Sequence, residues 1–577
     1  MKKIVFVPLL LLYLSCGLIQ KNNVGTATLI SNVNVVDVAN GKILESQNVV
    51  IDSGQIKSIS TDIMERDTFA QVIEGKEKYL MPGLAEMHAH IPPASTDPER
   101  IEDVLFLYLS NGITTIRGML GDPIHLGLRE KVTNGEILGP RIFTSSPSLN
   151  GNSVKTKDEA IEKVTAYQKL GYDFLKIHPG IQREVFDQVV ETANEVGIPF
   201  AGHVPVDVGI RHALESKYAS IDHVDGFLEG LVPESANVKP EENGFFGYNF
   251  TPLADVSKID ELVALAKQNE VWIVPTQSLF ERWFAPVPAS VLLRQPEMKY
   301  MPTETLENWK QRKEESMAPE SGFNEAQWKR FNTIRKQLIK KLQENGHGML
   351  LGSDAPQLFN VPGFSIHHEI DGMQAAGLSN LEIIQSGTLN PAIYFDMEDV
   401  FGQVKEGLEA DLILLNTNPL EDLDALQNLS GVIRQGKWLP KVSINKRLKQ
   451  ISNKNTIRSS KTAVNPTLAS QLQGTWKYYS EKGKKPAPSS TFERIKVLSD
   501  GHWNLNETNT LTDKLAHKHG GIYEIKGNIY YETVTFANQS SAYLLNETLE
   551  FDLEVKGDTL TQTGLNNEYD EIWVRIE

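Results

Sequence analysis

The sequence predicts an α/β chain built on a (β/α)8 TIM-like barrel, with a small β-sandwich made from both ends of the barrel domain and a separate antiparallel β-barrel at the C-terminus. Three observations predict it. Eight short apolar runs alternate with amphipathic stretches between about residues 81 and 400. Two β-rich segments of like character, 25–80 and 401–440, flank that block. From about residue 468 the hydrophobic period changes to two and keeps it to the end.

The chain opens MKKIVFVPLLLLYLSCG, two lysines followed by an apolar run of about a dozen residues. That run is too short to span a bilayer and has the layout of a signal peptide over residues 1–16. Cys16, where it ends, is the only cysteine in the chain. Intrachain disulfides and Cys-rich zinc sites are therefore excluded. The segment resembles a bacterial lipoprotein signal, although Tyr13 stands where Leu is usual. The resemblance implies export, lipidation of Cys16 and anchoring on the periplasmic or surface side of a bacterial membrane. A plain secretory signal with an incidental cysteine is the alternative.

Residues 25–80 alternate β-branched and polar side chains, with turns at Asn40-Gly41 and Ser53-Gly54. Residues 401–440 repeat the pattern and complete the sandwich. Within 81–400 the eight apolar runs are LMPGLAEMHAH, ITTIRG, RIFTSS, DFLKIHP, PFAGHV, SIDHVD, WIVPTQ and GMLLGSD. The stretch from about 226 to 345 exceeds one repeat and is read as an insertion, either a lid or decoration. Residues 441–467 read as a linker, with seven Lys or Arg and no acid between 441 and 461. Residues 468–577 are the C-terminal β domain. Its Gly474-Thr475-Trp476 and up-and-down meander resemble a lipocalin-like barrel.

Composition bounds the function. Acidic residues outnumber basic ones 74 to 57, for a net charge of -17. Nucleic acid is an unlikely partner for such a chain, because phosphate neutralisation needs clustered Lys and Arg. The chemistry gathers at strand ends instead. His88-Ala89-His90 closes the first run, and residues two apart on a strand share a side. At the C-terminal end of a barrel strand that side is the active-site mouth, where paired imidazoles suit a divalent metal. His203, His223 and Asp354 each follow a later apolar run. Each could also be a satisfied polar group or a helix cap; their joint placement argues against chance. Lys176 sits inside the apolar DFLKIHP, where an amine is costly unless paired or neutralised.

The string PGLAEMHAH resembles the first-strand motif of the amidohydrolase superfamily, with Glu86 where Asp is usual and Ala85 where Ile is usual. GITTIRG, GTLNPA and VKEGLEADLILLN resemble later motifs of that superfamily in the expected order, over roughly residues 25–440. The chain resembles the imidazolonepropionase-like and prolidase-like branch. The resemblance implies two divalent metal ions, most readily zinc, bridged by carboxylated Lys176. His88, His90, Lys176 and Asp354 would hold one, and Lys176, His203 and His223 the other. Asp354 would also be the catalytic acid and base. A mononuclear site, or a Lys176 amine that binds a substrate carboxylate, is the alternative.

Arg117, His178, Tyr248 and Arg282 are candidate substrate contacts, with structural roles as the rival reading for each. The reaction implied is hydrolysis of a C–N bond in a dipeptide or small cyclic amide. A lactonase or esterase of the same superfamily and a non-catalytic ligand-binding surface lipoprotein are the rivals. Both a monomer and a homo-oligomer fit the sequence.

Overall fold

The computed structural model describes residues 25–462, 468, 471–484, 491–499, 501–512, 514–526 and 529–576. The signal segment with Cys16, and residues 463–467 of the expected linker, lie outside the described residues. Two compact units are present. One reaches to Met298 and resumes over Thr305–Lys449; the other joins Lys299–Glu304 to the chain from Gln450 onward.

The first unit begins with five strands: β1 (Thr28–Asp37), β2 (Lys42–Asp52), β3 (Gln55–Ser60), β4 (Gln71–Glu74) and β5 (Tyr79–Pro82). Asp52 pairs with Gln55 across a two-residue turn, and Ser53 and Gly54 both have positive φ. That is the primed turn whose twist suits a hairpin.

Eight parallel strands follow: β6 (Leu84–Ala89), β7 (Ile113–Gly118), β8 (Arg141–Thr144), β9 (Leu175–Ile177), β10 (Phe200–Gly202), β11 (Ser220–Asp222), β12 (Trp272–Val274) and β13 (Gly348–Met349). They coincide with the eight apolar runs. The sheets β6-β7-β8 and β9 to β13 are joined by the parallel bridges Ser145–Phe174 and Leu149–Ile177. The ring closes where the Met87 amide donates to the Leu351 carbonyl (2.8 Å) and Ala89 bridges Ala355. Helices separate the strands, as the pattern requires. Lys157–Leu170, for example, starts on a Thr156/Glu159 capping box and ends on left-handed Gly171.

The chain then returns to the first sheet through β14 (Leu412–Leu415), β15 (Leu429–Arg434) and β16 (Lys437–Pro440). The order is β16-β15-β14-β5-β1-β2-β3, with β4 also on β1, so both ends of the domain share one hydrogen-bonded sheet. It curls until Ile56 exchanges backbone hydrogen bonds with residues 407 and 408, enclosing Ile30, Val35, Val49, Leu80, Leu412 and Ile433.

Residues expected to be a linker instead form the helix Lys441–Thr462. Ile444, Leu448 and Ile451 are buried at helical spacing, which explains it. Among the described residues no helix is long and apolar enough to cross a membrane.

The C-terminal unit is a closed antiparallel barrel of eight strands in chain order. They are β17 (Gly474–Glu481), β18 (Phe492–Ser499), β19 (His502–Asn509), β20 (Lys514–Lys526), β21 (Ile529–Ala537), β22 (Thr548–Lys556), β23 (Thr559–Gly564) and β24 (Glu571–Arg575). Trp476, Leu498, Tyr530, Leu560 and Trp573 fill one end of its interior.

Candidate active site

The C-terminal ends of the parallel strands bring six of the sequence-picked residues to the barrel mouth. His90 Nε2 lies 2.7 Å from Asp354 Oδ1, and His88 Nε2 lies 3.5 Å from the same oxygen. His88, His90 and Asp354 offer ligand atoms all within 4.8 Å of one another. The His88 and His223 rings are 4.5 Å apart between centroids, and His203 and His223 4.7 Å. Lys176 is fully buried beside them, its Nζ 3.8 Å from Asp222 Oδ2.

Backbone turns at the strand ends aim these groups. His223 (φ 66°), Val224 (54°), Thr276 (45°) and Asp354 (62°) are in the left-handed region. Such residues each cost about 1–3 kcal/mol and persist where the surroundings over-determine them. The turn at His223 lets consecutive Asp222 and His223 both serve the site, against strict alternation. Gly202 (φ 128°) precedes His203; a Cβ there would lie 2.4 Å from the Ile177 carbonyl and 3.1 Å from Lys176 Cδ.

The rings are oriented from behind. His203 Nδ1 lies 3.0 Å from Asp225 Oδ2 and His223 Nδ1 lies 2.8 Å from Thr276 Oγ1, so Nε2 is the remaining ligand atom of each. Glu86 is buried beneath His88. Its Oε1 accepts from the Ser353 amide (2.7 Å) and its Oε2 from Ser353 Oγ (2.7 Å). Burial pushes the Glu86 carboxyl up to about 8.

The donor set fits divalent cations. Burial holds the His88 and His223 imidazoles well below their ordinary range, in His88 against the opposing pull of Asp354, so both are neutral with lone pairs to offer. Burial also lowers the Lys176 amine. Its Nζ and His88 Nδ1 have no hydrogen-bond partner among the described residues, although buried polar groups are nearly always paired. Burial alone would raise the Asp354 carboxyl, but His88, His90 and Lys176 outweigh it and hold it near 2.

The candidate substrate contacts divide. His178 reaches the site: its ring stacks on His203 at 5.0 Å and its Nδ1 lies 2.5 Å from Ser148 Oγ. Arg117 does not face the mouth. It is fully buried inside the barrel and donates to Met87 O, Ser220 Oγ, Tyr394 Oη and Asp222 Oδ1. Tyr248 is buried, donating to the Asn324 carbonyl. Arg282 is buried between the Phe359 carbonyl and Glu297. All three lie where their polar atoms are consumed by the protein.

Sequence reasoning missed Asp222, Asp225, Thr276 and Phe246. The Phe246 ring covers the site, 5.3 Å from that of His223 and 5.8 Å from that of His203. Its backbone is left-handed (φ 49°), rare for an aromatic residue. Phe245, Phe280, Trp283 and Phe284 continue the apolar wall. A cavity of about 980 Å³ opens alongside, lined by Val204, Pro205, Glu229 and Phe250 but by none of the six ligand candidates.

Residues 79–439 match the amidohydrolase family. Among curated relatives, a dihydroorotase of Carboxydothermus hydrogenoformans is 40% identical over 89 residues, 15% of this chain and 20% of that protein. The chain thus spans about a fifth of that relative's length. Ochratoxinase of Aspergillus niger is 24% identical over 380 residues, 61% of this chain and 73% of the relative. Among solved structures, a Xaa-Pro dipeptidase with bound methionine in the active site is 21% identical. It covers 72% of this chain and 100% of its own, with a TM-score of 0.52, a likeness of fold.

Proposed function

From a chain that belongs to the amidohydrolase family, we propose a metal-dependent hydrolase that cleaves a C–N amide bond in a dipeptide or small cyclic amide. One observation carries the reading: a buried Lys176 amine without a hydrogen-bond partner among the described residues, beside the converging His88, His90 and Asp354. Burial lowers the Lys176 amine; the neutral amine is the form that reacts with carbon dioxide, releasing a proton, and the carbamate so formed would offer two oxygens sharing one negative charge. His88, His90 and Asp354 would hold one cation, His203 and His223 the other, with carboxylated Lys176 between them. When bound, the ions supply a polarised carbonyl and a water acidic near neutral pH.

The remaining steps belong to the chain. Asp354 has one oxygen between His88 and His90 and the other 4.0 Å from His223 Nδ1. One oxygen can stay with the ligand set while the other takes a proton from the attacking water and passes it to the leaving nitrogen. Asp225 and Thr276 keep the His203 and His223 rings in one tautomer and orientation. Phe246 covers the reacting centre and excludes water from one side. The same reading takes the C-terminal barrel as lipocalin-like and Cys16 as the lipid anchor of an exported chain. Metabolic labelling with a fatty-acid analogue, lost in Cys16→Ser, tests the anchor.

Elemental analysis after growth with zinc and bicarbonate tests the site. About two metals per chain, falling in Lys176→Ala, with turnover in a dipeptide or cyclic-amide library, is the expected result. One metal per chain unaffected by Lys176→Ala would overturn the bridged site. Two metals with hydrolysis of lactones or esters alone would overturn the assignment to amides.

A further inference from the structure

The C-terminal barrel has an interior that packing alone does not explain. Eight-stranded barrels are filled by side chains or hold one small ligand. One end is filled by Trp476, Trp573, Tyr530 and Leu560. Toward the other end the inward positions carry charge: Arg494 and Lys496 on β18, Glu507 on β19, His517 and His519 on β20, Glu532 on β21 and Glu571 on β24. With Gln562, these line a cavity of about 120 Å³. Drug-sized sites measure about 300–1,000 Å³, so the space suits a small molecule and is too tight for a lipid chain.

The floor of this cavity is satisfied internally. Lys496 Nζ donates to Glu532 Oε1 (2.8 Å) and Gln562 Oε1 (3.0 Å). Arg494 pairs with Glu507. Two buried atoms of this lining are left without a hydrogen-bond partner among the described residues, and Glu571 Oε1 is held only by a long ion pair to Arg494. Trp503, 2% exposed, has an indole N–H with no hydrogen-bond partner among the described residues, and His519 Nδ1 has none either. Glu571 Oε2 accepts from Trp573 Nε1 (3.2 Å), while its Oε1 is 3.7 Å from the nearest Arg494 nitrogen, beyond hydrogen-bond reach. Burial, opposed in part by Lys496, pushes the Glu571 carboxyl up. Burial with Lys496 beside it lowers His519 to about 4, so its imidazole is neutral and can present an N–H.

Trp503, His519 and Glu571 line the same cavity. In the ring order β20 and β24 are four strands apart, on opposite walls. The donors Trp503 and His519 come from β19 and β20, and the acceptor Glu571 from β24. Three carboxylates against two cations disfavour a simple anion. The orphaned indole N–H of Trp503, which can only donate, disfavours a simple cation. A metal is also a poor fit, since Glu507 is held by Arg494 and its Oε1 is 4.0 Å from His517 Nε2. We propose that this cavity binds a small zwitterion of the amino-acid class, its ammonium at Glu571 and its carboxylate at Trp503 and His519. The assignment is independent of the hydrolase reading.

Calorimetric titration of the full chain with glycine, L-alanine, L-serine and L-proline tests it, with acetate and methylammonium as half-probes. At least one amino acid binds at one per chain and at least 10-fold more tightly than either half-probe. Glu571→Gln and Trp503→Phe each weaken that binding at least 10-fold, and His88→Ala, in the hydrolase site, leaves it unchanged. Hydrogen exchange on the wild-type chain shows ligand-induced protection in β19, β20 and β24, which keeps the test open if a variant fails to fold. Absence of binding by every amino acid overturns the proposal. So does binding abolished by His88→Ala, protection confined to the hydrolase unit, or methylammonium binding as tightly as the amino acids.

Discussion

Replacing Arg117 with methionine separates a structural arginine from a substrate contact. The guanidinium is wholly buried and makes four hydrogen bonds: 2.7 Å to Met87 O, 2.8 Å each to Ser220 Oγ and Tyr394 Oη, and 2.9 Å to Asp222 Oδ1. It also lies over the rings of Phe174 (5.4 Å) and Tyr394 (5.1 Å). Methionine keeps the stem and removes every donor. Asp222, itself fully buried, then keeps a charge without its cation. Breaking a buried pair from one side costs about 3–5 kcal/mol. The other Asp222 oxygen lies 3.1 Å from His88 Nδ1, which offsets part of the loss. The lower half of the range, about 3–4 kcal/mol, is the expected destabilisation.

The assay is equilibrium urea unfolding followed by fluorescence, with unfolding rates if refolding is incomplete. A double variant, Arg117→Met with Asp222→Asn, removes the stranded charge. It regains at least about 2 kcal/mol, because deleting both partners is far milder than deleting one. An Arg117→Met chain of wild-type stability whose only defect is a raised KM would refute the reasoning and return Arg117 to the substrate.

Three further outcomes are expected. Asp354→Asn lowers kcat by roughly 10²–10⁴ on whichever amide the wild type cleaves, from lost proton transfer alone; wild-type turnover removes Asp354 from that role. Gly202→Ala costs about 1–3 kcal/mol by overpacking, because its Cβ meets the Ile177 carbonyl at 2.4 Å; thermal unfolding reads the loss, and elemental analysis reads a lower metal content as Lys176 is displaced. In the C-terminal barrel the unfolded His519 imidazole takes a proton below its ordinary 6.5, whereas the folded one waits until about 4. The unfolded state therefore binds more protons in that window, and stability falls as pH drops through it, by at most about 3 kcal/mol at 1.36 kcal/mol per pH unit. Urea titrations at pH 7 and 4.5 show a smaller difference in His519→Gln than in the wild type.

The strand ends were legible because each is an apolar run stopped by one polar group, and burial rewards that pattern directly. Groups one residue away were not. Asp222 precedes His223 immediately, so alternation assigns it to the opposite side; only the left-handed turn at His223 brings both to the site. For Arg117, Tyr248 and Arg282 the sequence leaves a substrate contact and a structural role side by side, because their partners lie far off along the chain. Asp222 is 105 residues from Arg117, and the Phe359 carbonyl 77 from Arg282. The helix Lys441–Thr462 was read as a linker from its basic charge, although its stripe of Ile444, Leu448 and Ile451 was present in the sequence.

The chain contains the pattern His-x-His twice on strands, and the two copies show what such a motif needs. His88 and His90, at the end of β6, lie beside Asp354, whose Oδ1 is 3.5 Å and 2.7 Å from their Nε2 atoms and which pairs with no arginine among the described residues. His517 and His519 share a face of β20 in the same way. Their nearest carboxylate, Glu507, is 4.0 Å from His517 Nε2 and is already held by Arg494. A cation placed there would have to displace a guanidinium, losing an ion pair for each ligand gained. Identical spacing therefore supports metal chemistry in one barrel and not in the other. The discriminating variable is whether the facing carboxylate is spoken for, which residue spacing does not encode. Arg494→Ala, which frees Glu507, is expected to raise zinc binding in the C-terminal barrel at least 10-fold, read by titration in a His88→Ala background. Unchanged zinc affinity would show that imidazole geometry, and not competition by arginine, keeps that site closed to metal.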